Sequence, residues 1–256
     1  MQSWNSPREN ALYNVHPVLK QLADRNIDLP DTVTAAAATL ARIENSRPAE
    51  PPTDAIRRAI LDAADQDTLD RLVLAELGHS RLAAEHRQAI LDAAVAVMSA
   101  IRAEHDTIFA QLAALAHKQI EHLEAVAQLP TTDVMQLVRD GNHKGAQLVA
   151  GTDAAATELE VLYDLRDDFL SGGFDKMTLG HVDCSRWRDP DKPGRGATPA
   201  ERCLDGLIEQ ENELWFPTRD QALDAARPIF ERDKAKADEN AAVRRTQNAA
   251  AQAFAR

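Results

Sequence analysis

The feature that most constrains the fold of this chain is a stripe of mainly apolar residues that recurs every three or four positions from residue 90 onward. This spacing places the side chains on one face of an α-helix, and Pro130 ends the pattern. The stripe contains Ile90, Ala94, Val97, Ile101, His105, Ile108, Leu112, Leu115, Leu123 and Val126. It predicts a helix over 90–129, which would be about 60 Å long at 1.5 Å per residue.

A second stripe runs from Val134 to Phe169 in alternating steps of four and three residues, which is the spacing of a heptad repeat. It predicts a second helix over 132–170, separated from the first by the short turn Leu-Pro-Thr-Thr-Asp. Aromatic residues make up only 4% of the chain, which is typical of helices packed along shallow seams. The predicted fold is therefore all-α, built on a long antiparallel, coiled-coil-like helical hairpin with shorter flanking helices and an irregular segment.

Gly141 and Gly145 fall on the seam of the second helix. A glycine inside a helix costs roughly 1 kcal/mol relative to alanine, so a compensating contact is expected. We interpret both as helix-packing residues that allow close approach at a helix crossing. A helix break near Gly141 is one alternative and an anion site is another, although the stretch lacks the spacing and the preceding strand of a phosphate-binding loop.

Five segments are predicted from the distribution of apolar stripes, prolines and glycines. Short helices occupy 1–44, and a linker with three prolines covers 45–53. The hairpin occupies 54–170, an irregular aromatic-rich segment with one helix covers 171–217, and a C-terminal helix with a polar tail covers 218–256. Pro228 is expected to interrupt or kink the last helix. From residue 232 onward the mildly basic tail would be a solvated helix or a segment that orders on a partner.

The irregular segment contains the most informative local signals. Thr198, Pro199 and Glu201 form a capping box with proline at the first helical position, which predicts a helix start. Trp187, Trp215 and Phe216 are large aromatic side chains beside a predicted rod that has little interior to hold them. Because large aromatic residues are enriched where protein interfaces gain their energy, we predict that these three form an interface.

The net charge and the distribution of apolar residues give expectations about partners and compartment. A formal charge of −12 disfavours binding to nucleic acid, which requires clustered Lys and Arg. The chain shows no signal peptide and no apolar run long enough to span a membrane, so we expect a cytoplasmic protein without membrane contacts, or one incorporated in a virus-like particle. Its two cysteines fit a reducing compartment.

Two places in the sequence contain residues of the types that ligate metals. His181, Cys184 and Cys203 are weak zinc-ligand candidates, but structural zinc sites usually have four ligands in two pairs. Glu76 and His79 form half of a di-iron carboxylate motif, and the chain has no second Glu-x-x-His. We therefore predict no metal and no cofactor.

No catalytic motif is found, because the chain has neither a Gly-x-Ser-x-Gly elbow nor a cysteine with the flanks of a known nucleophile. No small-molecule substrate is evident either. The sequence therefore favours a protein that is not an enzyme, and a metal-dependent helical enzyme ranks only third among the functions considered.

Tyr163 and Asp167 form a Tyr-x-x-x-Asp motif at the end of the second predicted helix. The motif resembles the secretion signal of type VII (ESX) substrates, which are small helical hairpins with Trp-x-Gly in the turn. The predicted turn lacks Trp-x-Gly, so the resemblance covers five residues and no function is transferred from it. A type VII-secreted or regulatory helical effector is kept as the alternative function.

The organisation of the whole chain resembles that of virus and phage assembly proteins, including scaffolding proteins, which are acidic, alanine-rich and helical with a mildly basic tail. The predicted function is accordingly a non-enzymatic structural or assembly protein. It would act as a homo-oligomer, by contact with another protein, or by both.

Overall fold

The computed structural model describes residues 7–47, 50, 54–167 and 182–254, and it describes residues 246–254 by their backbone alone. The all-α prediction is confirmed, because these residues form ten α-helices, one short 3-10 helix and no β-strand. The helices are α1 Pro7–Asp24, α2 Asp31–Asn45, α3 Ala55–Leu61, α4 Gln66–Ala103, α5 His105–Ala127, α6 Val134–Arg139, α7 His143–Ala150, α8 Thr152–Leu165, α9 Pro199–Ile208 and α10 Arg219–Phe254; the 3-10 helix is Val182–Ser185.

The chain divides into two compact units, residues 1–108 and 109–256. The boundary lies inside the segment 54–170 that the sequence predicts to be one hairpin. Each unit is described by itself below.

In the first unit, α1, α2 and α3 pack against α4. The buried residues of each helix recur at helical spacing, so each helix presents one apolar face to this core. They are Val15, Val18 and Leu22 in α1, Val33 and Leu40 in α2, and Ala94, Val97 and Ile101 in α4. The carboxylate of Asp65 caps α4 by accepting a 2.7 Å hydrogen bond from the backbone N–H of Thr68. Before residue 90, by contrast, most side chains of α4 are exposed.

The predicted long hairpin is wrong in its helix bounds. The helix expected over 90–129 is divided between α4 and α5 at Glu104, and the helix expected over 132–170 is divided into α6, α7 and α8. Residues 168–170 lie outside the described residues. Apolar spacing indicates which side chains face a core. The same spacing can continue across a helix break, because the break interrupts only a few backbone hydrogen bonds.

In the second unit, α8 packs against α9, and α7 packs against both α6 and α8. The predicted capping box at the start of α9 is confirmed: the Thr198 hydroxyl accepts from the Glu201 N–H, and the Glu201 carboxylate accepts from the Thr198 N–H. The 3-10 helix packs on the first half of α10 through Cys184, Ala222, Ala226 and Ile229.

Helix α10 continues through Pro228, so an interruption there is wrong, and the alternative of a kink stays a prediction. Residues 230–240 of this helix are exposed on every side. In the part of the chain that the structure describes, no helix is both long enough and apolar enough to cross a bilayer.

Candidate functional site

A set of charged and aromatic side chains lies in the second unit, where Tyr163, Arg166, Arg186, Trp215 and Phe216 form what we call the arginine–aromatic cluster. Its centre is Arg166, whose side chain is fully buried. The guanidinium donates to the backbone carbonyl of Ser185 at 2.9 Å and pairs with the carboxylate of Asp167 at 2.7 Å. It also lies 4.9 Å from the ring centre of Tyr163 and 4.8 Å from that of Phe216.

The charge of Arg166 is compensated from three sides. Burial lowers the pKa of this guanidinium, and the adjacent Asp167 carboxylate opposes that shift. Two aromatic faces supply cation–π contact, and one carbonyl supplies a hydrogen bond. Because a buried charge is tolerated only when it is paired and hydrogen-bonded, this arrangement ties α8 to the segment that begins at the 3-10 helix.

Three aromatic rings form a stack around the same point. Phe216 stacks on Phe109 at a centre-to-centre distance of 5.5 Å and on Tyr163 at 5.6 Å. The Tyr163 hydroxyl donates to the backbone carbonyl of Trp215 at 3.0 Å. Burial raises the pKa of this tyrosine above its ordinary value, and the charge of Arg166 acts in the opposite direction. The phenol is therefore a neutral hydrogen-bond donor inside the unit.

Glu160 forms a second set of ion pairs at the edge of this cluster. Its carboxylate accepts from Arg186 at 2.6 Å and from Arg202 at 3.1 Å. All three side chains are only partly exposed, at 22%, 23% and 36%. These ion pairs connect α8 to α9 and to the residues after the 3-10 helix. Their role is to hold these segments together within the second unit.

The sequence predicts an interface at Trp187, Trp215 and Phe216, whereas the chain buries all three in its own second unit. Their exposed fractions are 4%, 9% and 5%. Residues 186–188 and 213–215 pair through two backbone hydrogen bonds, from Arg188 to Glu213 and from Trp215 to Arg186. This antiparallel pairing places Trp187 directly opposite Leu214.

Gly206 allows Trp187 to reach the core. A Cβ atom added at Gly206 would lie 2.0 Å from the indole ring of Trp187, which is far closer than real atoms approach. The tryptophan therefore lies directly on the helix backbone of α9.

The weak zinc candidates are placed only in part. Cys184 and Cys203 are free thiols and both are buried, whereas His181 lies outside the described residues. Burial raises the pKa of the Cys203 thiol to about 12, and the nearby Glu160 carboxylate acts in the same direction. Among the residues that the structure describes, no three His, Cys, Asp or Glu side chains come together as metal ligands.

The two seam glycines lie in different surroundings. Gly141 lies in the turn between α6 and α7 with φ +76°, it is exposed, and an added Cβ would meet nothing within 4 Å. The packing interpretation is therefore wrong for Gly141, which is instead the break considered as an alternative. At Gly145 an added Cβ would meet the side chain of Asn142, which caps α7 by accepting a 2.9 Å hydrogen bond from the Gly145 N–H. Gly145 thus makes room for a cap.

The residues of the Tyr-x-x-x-Asp motif are both engaged inside the second unit. Tyr163 is buried and Asp167 is paired with Arg166. Both residues of the motif therefore have structural roles within the chain.

In the first unit, a set of large apolar side chains is exposed on α3 and on the first half of α4. We call it the α4 patch: it consists of Ile60, Leu61, Val73, Leu74, Leu77 and Leu82, whose exposed fractions range from 41% to 75%. These residues lie within 23 consecutive positions of the chain. Large apolar side chains that stay exposed on a helix are candidates for contact with another protein.

Two grooves are also present. One of about 610 Å³ in the second unit is lined by four glutamates, Glu121, Glu124, Glu211 and Glu213, with Leu207 at its wall. Another of about 450 Å³ in the first unit is lined by Glu44, Arg47, His79, His86 and Arg87. His86 is engaged there by the backbone carbonyl of Ile43 at 2.7 Å. Apart from His79, neither groove contains a candidate site residue that the sequence singles out.

Comparison with protein-family models gives no match, and neither the curated proteins nor the solved structures include one that is similar to this chain. The candidate sites are therefore argued from the geometry of this chain alone.

Sequence reasoning missed Arg166, Glu160 and Arg186, because their partners lie far away in the chain. It also missed the exposure of the α4 patch. The sequence does contain a signal for the patch. One narrow helix face cannot hold all of the apolar residues Val73, Leu74 and Leu77.

Proposed function

We propose that this chain is a non-enzymatic structural or assembly protein that acts through contacts with copies of itself and with another protein. The observation that carries the proposal is the α4 patch, in which Leu61, Leu74 and Leu77 are 75%, 67% and 63% exposed. Covering such side chains releases about 25 cal/mol for each Å² of apolar surface removed from water. Protein contact is the ordinary way to cover them.

The proposal rests on a different surface from the one that the sequence indicates. The aromatic residues around Trp215 are internal, so they give no support to assembly. The α4 patch lies in the other unit and on helices whose neighbouring residues are charged, including Arg71, Arg81 and Glu85. An apolar centre with a charged rim is the usual composition of a protein interface.

A virus or phage particle is the setting that we propose, and the cytoplasm is the compartment. The support is the organisation described above: an acidic, helical chain with a long exposed C-terminal helix. The net charge of −12 supports partners that are proteins with basic surfaces over nucleic acid.

Sedimentation velocity across a wide concentration series tests the proposal. We expect the average mass of the wild-type chain to rise with concentration, and we expect Leu74→Lys/Leu77→Lys to remain monomeric with unchanged far-UV circular dichroism. Tyr13→Lys is the matched control, because Tyr13 is 78% exposed but lies on α1, outside the patch. A wild-type chain that stays monomeric throughout, with the same mass as the double variant, would contradict self-association.

A further inference from the structure

One face of α4 has a symmetric arrangement of side chains about Gly78. Steps of four and three residues from Asp67 lead to Arg71, Leu74, Gly78, Leu82 and Glu85, and this spacing keeps them on one face of the helix. Every one of these residues is exposed. The face lies about 160° around the helix from the buried Ala94, so it points away from the core that α4 forms with α1 and α2.

The side chains at equal distances on the two sides of Gly78 are chemically related. Four residues before and after Gly78 stand Leu74 and Leu82, and seven residues before and after it stand Arg71 and Glu85. The apolar groups are alike and the charges are opposite. Two copies of such a face are complementary when the helices run antiparallel about an axis through Gly78.

We propose that a second copy of this chain binds here, with the two α4 helices antiparallel and Gly78 at the crossing point. Leu74 of each copy then packs on Leu82 of the other, and Arg71 of each copy meets Glu85 of the other. Because the interface is two-fold symmetric, each contact occurs twice. This inference rests on the proposed function and names the surface through which self-association occurs.

Gly78 suits the crossing point, and no contact within the described residues explains why this position is a glycine. An added Cβ would meet nothing within 4 Å, so the packing of the single chain does not require a glycine. A glycine in a helix interior lowers stability relative to alanine. Its absent side chain lets two helix backbones approach closely, which gives this position a use only when a second helix is present.

The charges are available for pairing between copies. The guanidinium of Arg71 donates only within its own helix, to the Asp67 carbonyl at 3.3 Å and to the Thr68 hydroxyl at 3.2 Å. Within the part of the chain that the structure describes, neither Arg71 nor Glu85 forms an ion pair. A parallel arrangement would bring Arg71 against Arg71 and Glu85 against Glu85, so like-charge repulsion favours the antiparallel one.

Charge reversal tests the pairing by sedimentation equilibrium. We expect Arg71→Glu and Glu85→Arg each to raise the dimer dissociation constant about tenfold or more, since two attractions become two repulsions. An equimolar mixture of the two variants should associate as tightly as wild type, because every pair in the mixed dimer is again of opposite charge. The double variant Arg71→Glu/Glu85→Arg should also recover wild-type association. Glu76→Arg is the control, because it is exposed on another side of the same helix and should change nothing.

Gly78→Leu supplies a second measurement that does not depend on charge. Leucine has higher helix propensity than glycine, so the single chain keeps or gains helical content, whereas two leucines at the crossing point hold the helices apart. We expect dimerisation to be lost without loss of far-UV circular dichroism signal.

The outcomes separate this inference from the proposed function. Self-association that is unaffected by either charge reversal, or mixed variants that fail to recover it, would overturn the α4 interface and leave self-association standing. A wild-type chain that is monomeric at every concentration would overturn both.

Discussion

The Tyr163 hydroxyl donates a 3.0 Å hydrogen bond to the backbone carbonyl of Trp215, which lies 52 positions later in the chain. The bond joins α8 to the extended residues that precede α10 and closes the aromatic stack over Arg166. It shows that the aromatic residues of 182–216 are organised around α8 within the second unit.

Tyr163→Phe should lower the free energy of unfolding by about 1 to 2 kcal/mol, because the buried carbonyl of Trp215 loses its donor while the ring stack remains. Urea unfolding followed by far-UV circular dichroism measures the change. Tyr13→Phe removes the same hydroxyl from an exposed position and should leave stability unchanged. Equal effects of the two substitutions would show that the bond to Trp215 contributes nothing.

Arg166→Met should destabilise the chain by about 2 to 4 kcal/mol, since it removes a buried cation and leaves the Ser185 carbonyl and the Asp167 carboxylate without it. Arg166→Lys should not restore stability, because an ammonium group cannot make the planar, forked contacts of a guanidinium. Arg188→Met is the matched control: this arginine lies over the Trp215 ring at 4.4 Å but is 58% exposed, so its loss should cost less than about 1 kcal/mol. Chemical unfolding of the three variants under one set of conditions is the measurement, and full rescue by lysine would contradict the geometry.

Trp215→Ala should lower the free energy of unfolding by about 3 to 5 kcal/mol, which is the usual cost of truncating a buried tryptophan. The loss should be independent of protein concentration, because the side chain is buried within one chain. Thermal unfolding at several concentrations distinguishes this from an interface role. A variant that keeps its stability as a monomer and loses only association would restore the interpretation that the sequence suggested.

Gly141→Ala should destabilise the chain by about 1 to 2 kcal/mol, although an added Cβ has open space around it. The cost comes from φ +76°, a left-handed conformation that disfavours L-residues with a side chain. Gly141→Asn should cost less, because asparagine enters this region more readily. Equal stability of wild type and the alanine variant would mean that the turn between α6 and α7 adopts a different backbone.

Raising the pH from about 9 to about 12 should destabilise the wild-type chain more than Cys203→Ala. The pKa of the buried thiol is raised to about 12 from an ordinary value of 9.0. Between these values the unfolded chain has released the proton and the folded chain has not, so the stability from the neutral thiol is lost as the pH rises. The difference in slope should not exceed about 1.4 kcal/mol per pH unit. Urea unfolding at a series of alkaline pH values measures it, and parallel profiles would contradict the burial of a neutral Cys203.

The sequence predicts the two candidate sites to different extents. One site lies on a single helix, whereas the other brings together residues that are distant in the chain. The face of α4 around Gly78 follows from spacing alone, because the helix places residues 71, 74, 78, 82 and 85 together. Its exposure does not follow, since the same apolar residues could have been buried against another helix. The arginine–aromatic cluster could not be predicted, because Arg166 and Ser185 lie 19 positions apart and a local pattern does not specify a contact over that separation.

The sequence by itself determined the helical class and the start of α9 at its capping box. These features depend on hydrogen bonds and side-chain contacts within a few residues, so they are encoded locally. Tertiary structure decided that the predicted hairpin is divided at Glu104, Gly141 and Gly151, and that Trp187, Trp215 and Phe216 face inward. It also decided that Leu74 and Leu77 are exposed. Whether an apolar side chain is covered depends on segments distant in the chain, and no local pattern contains that information.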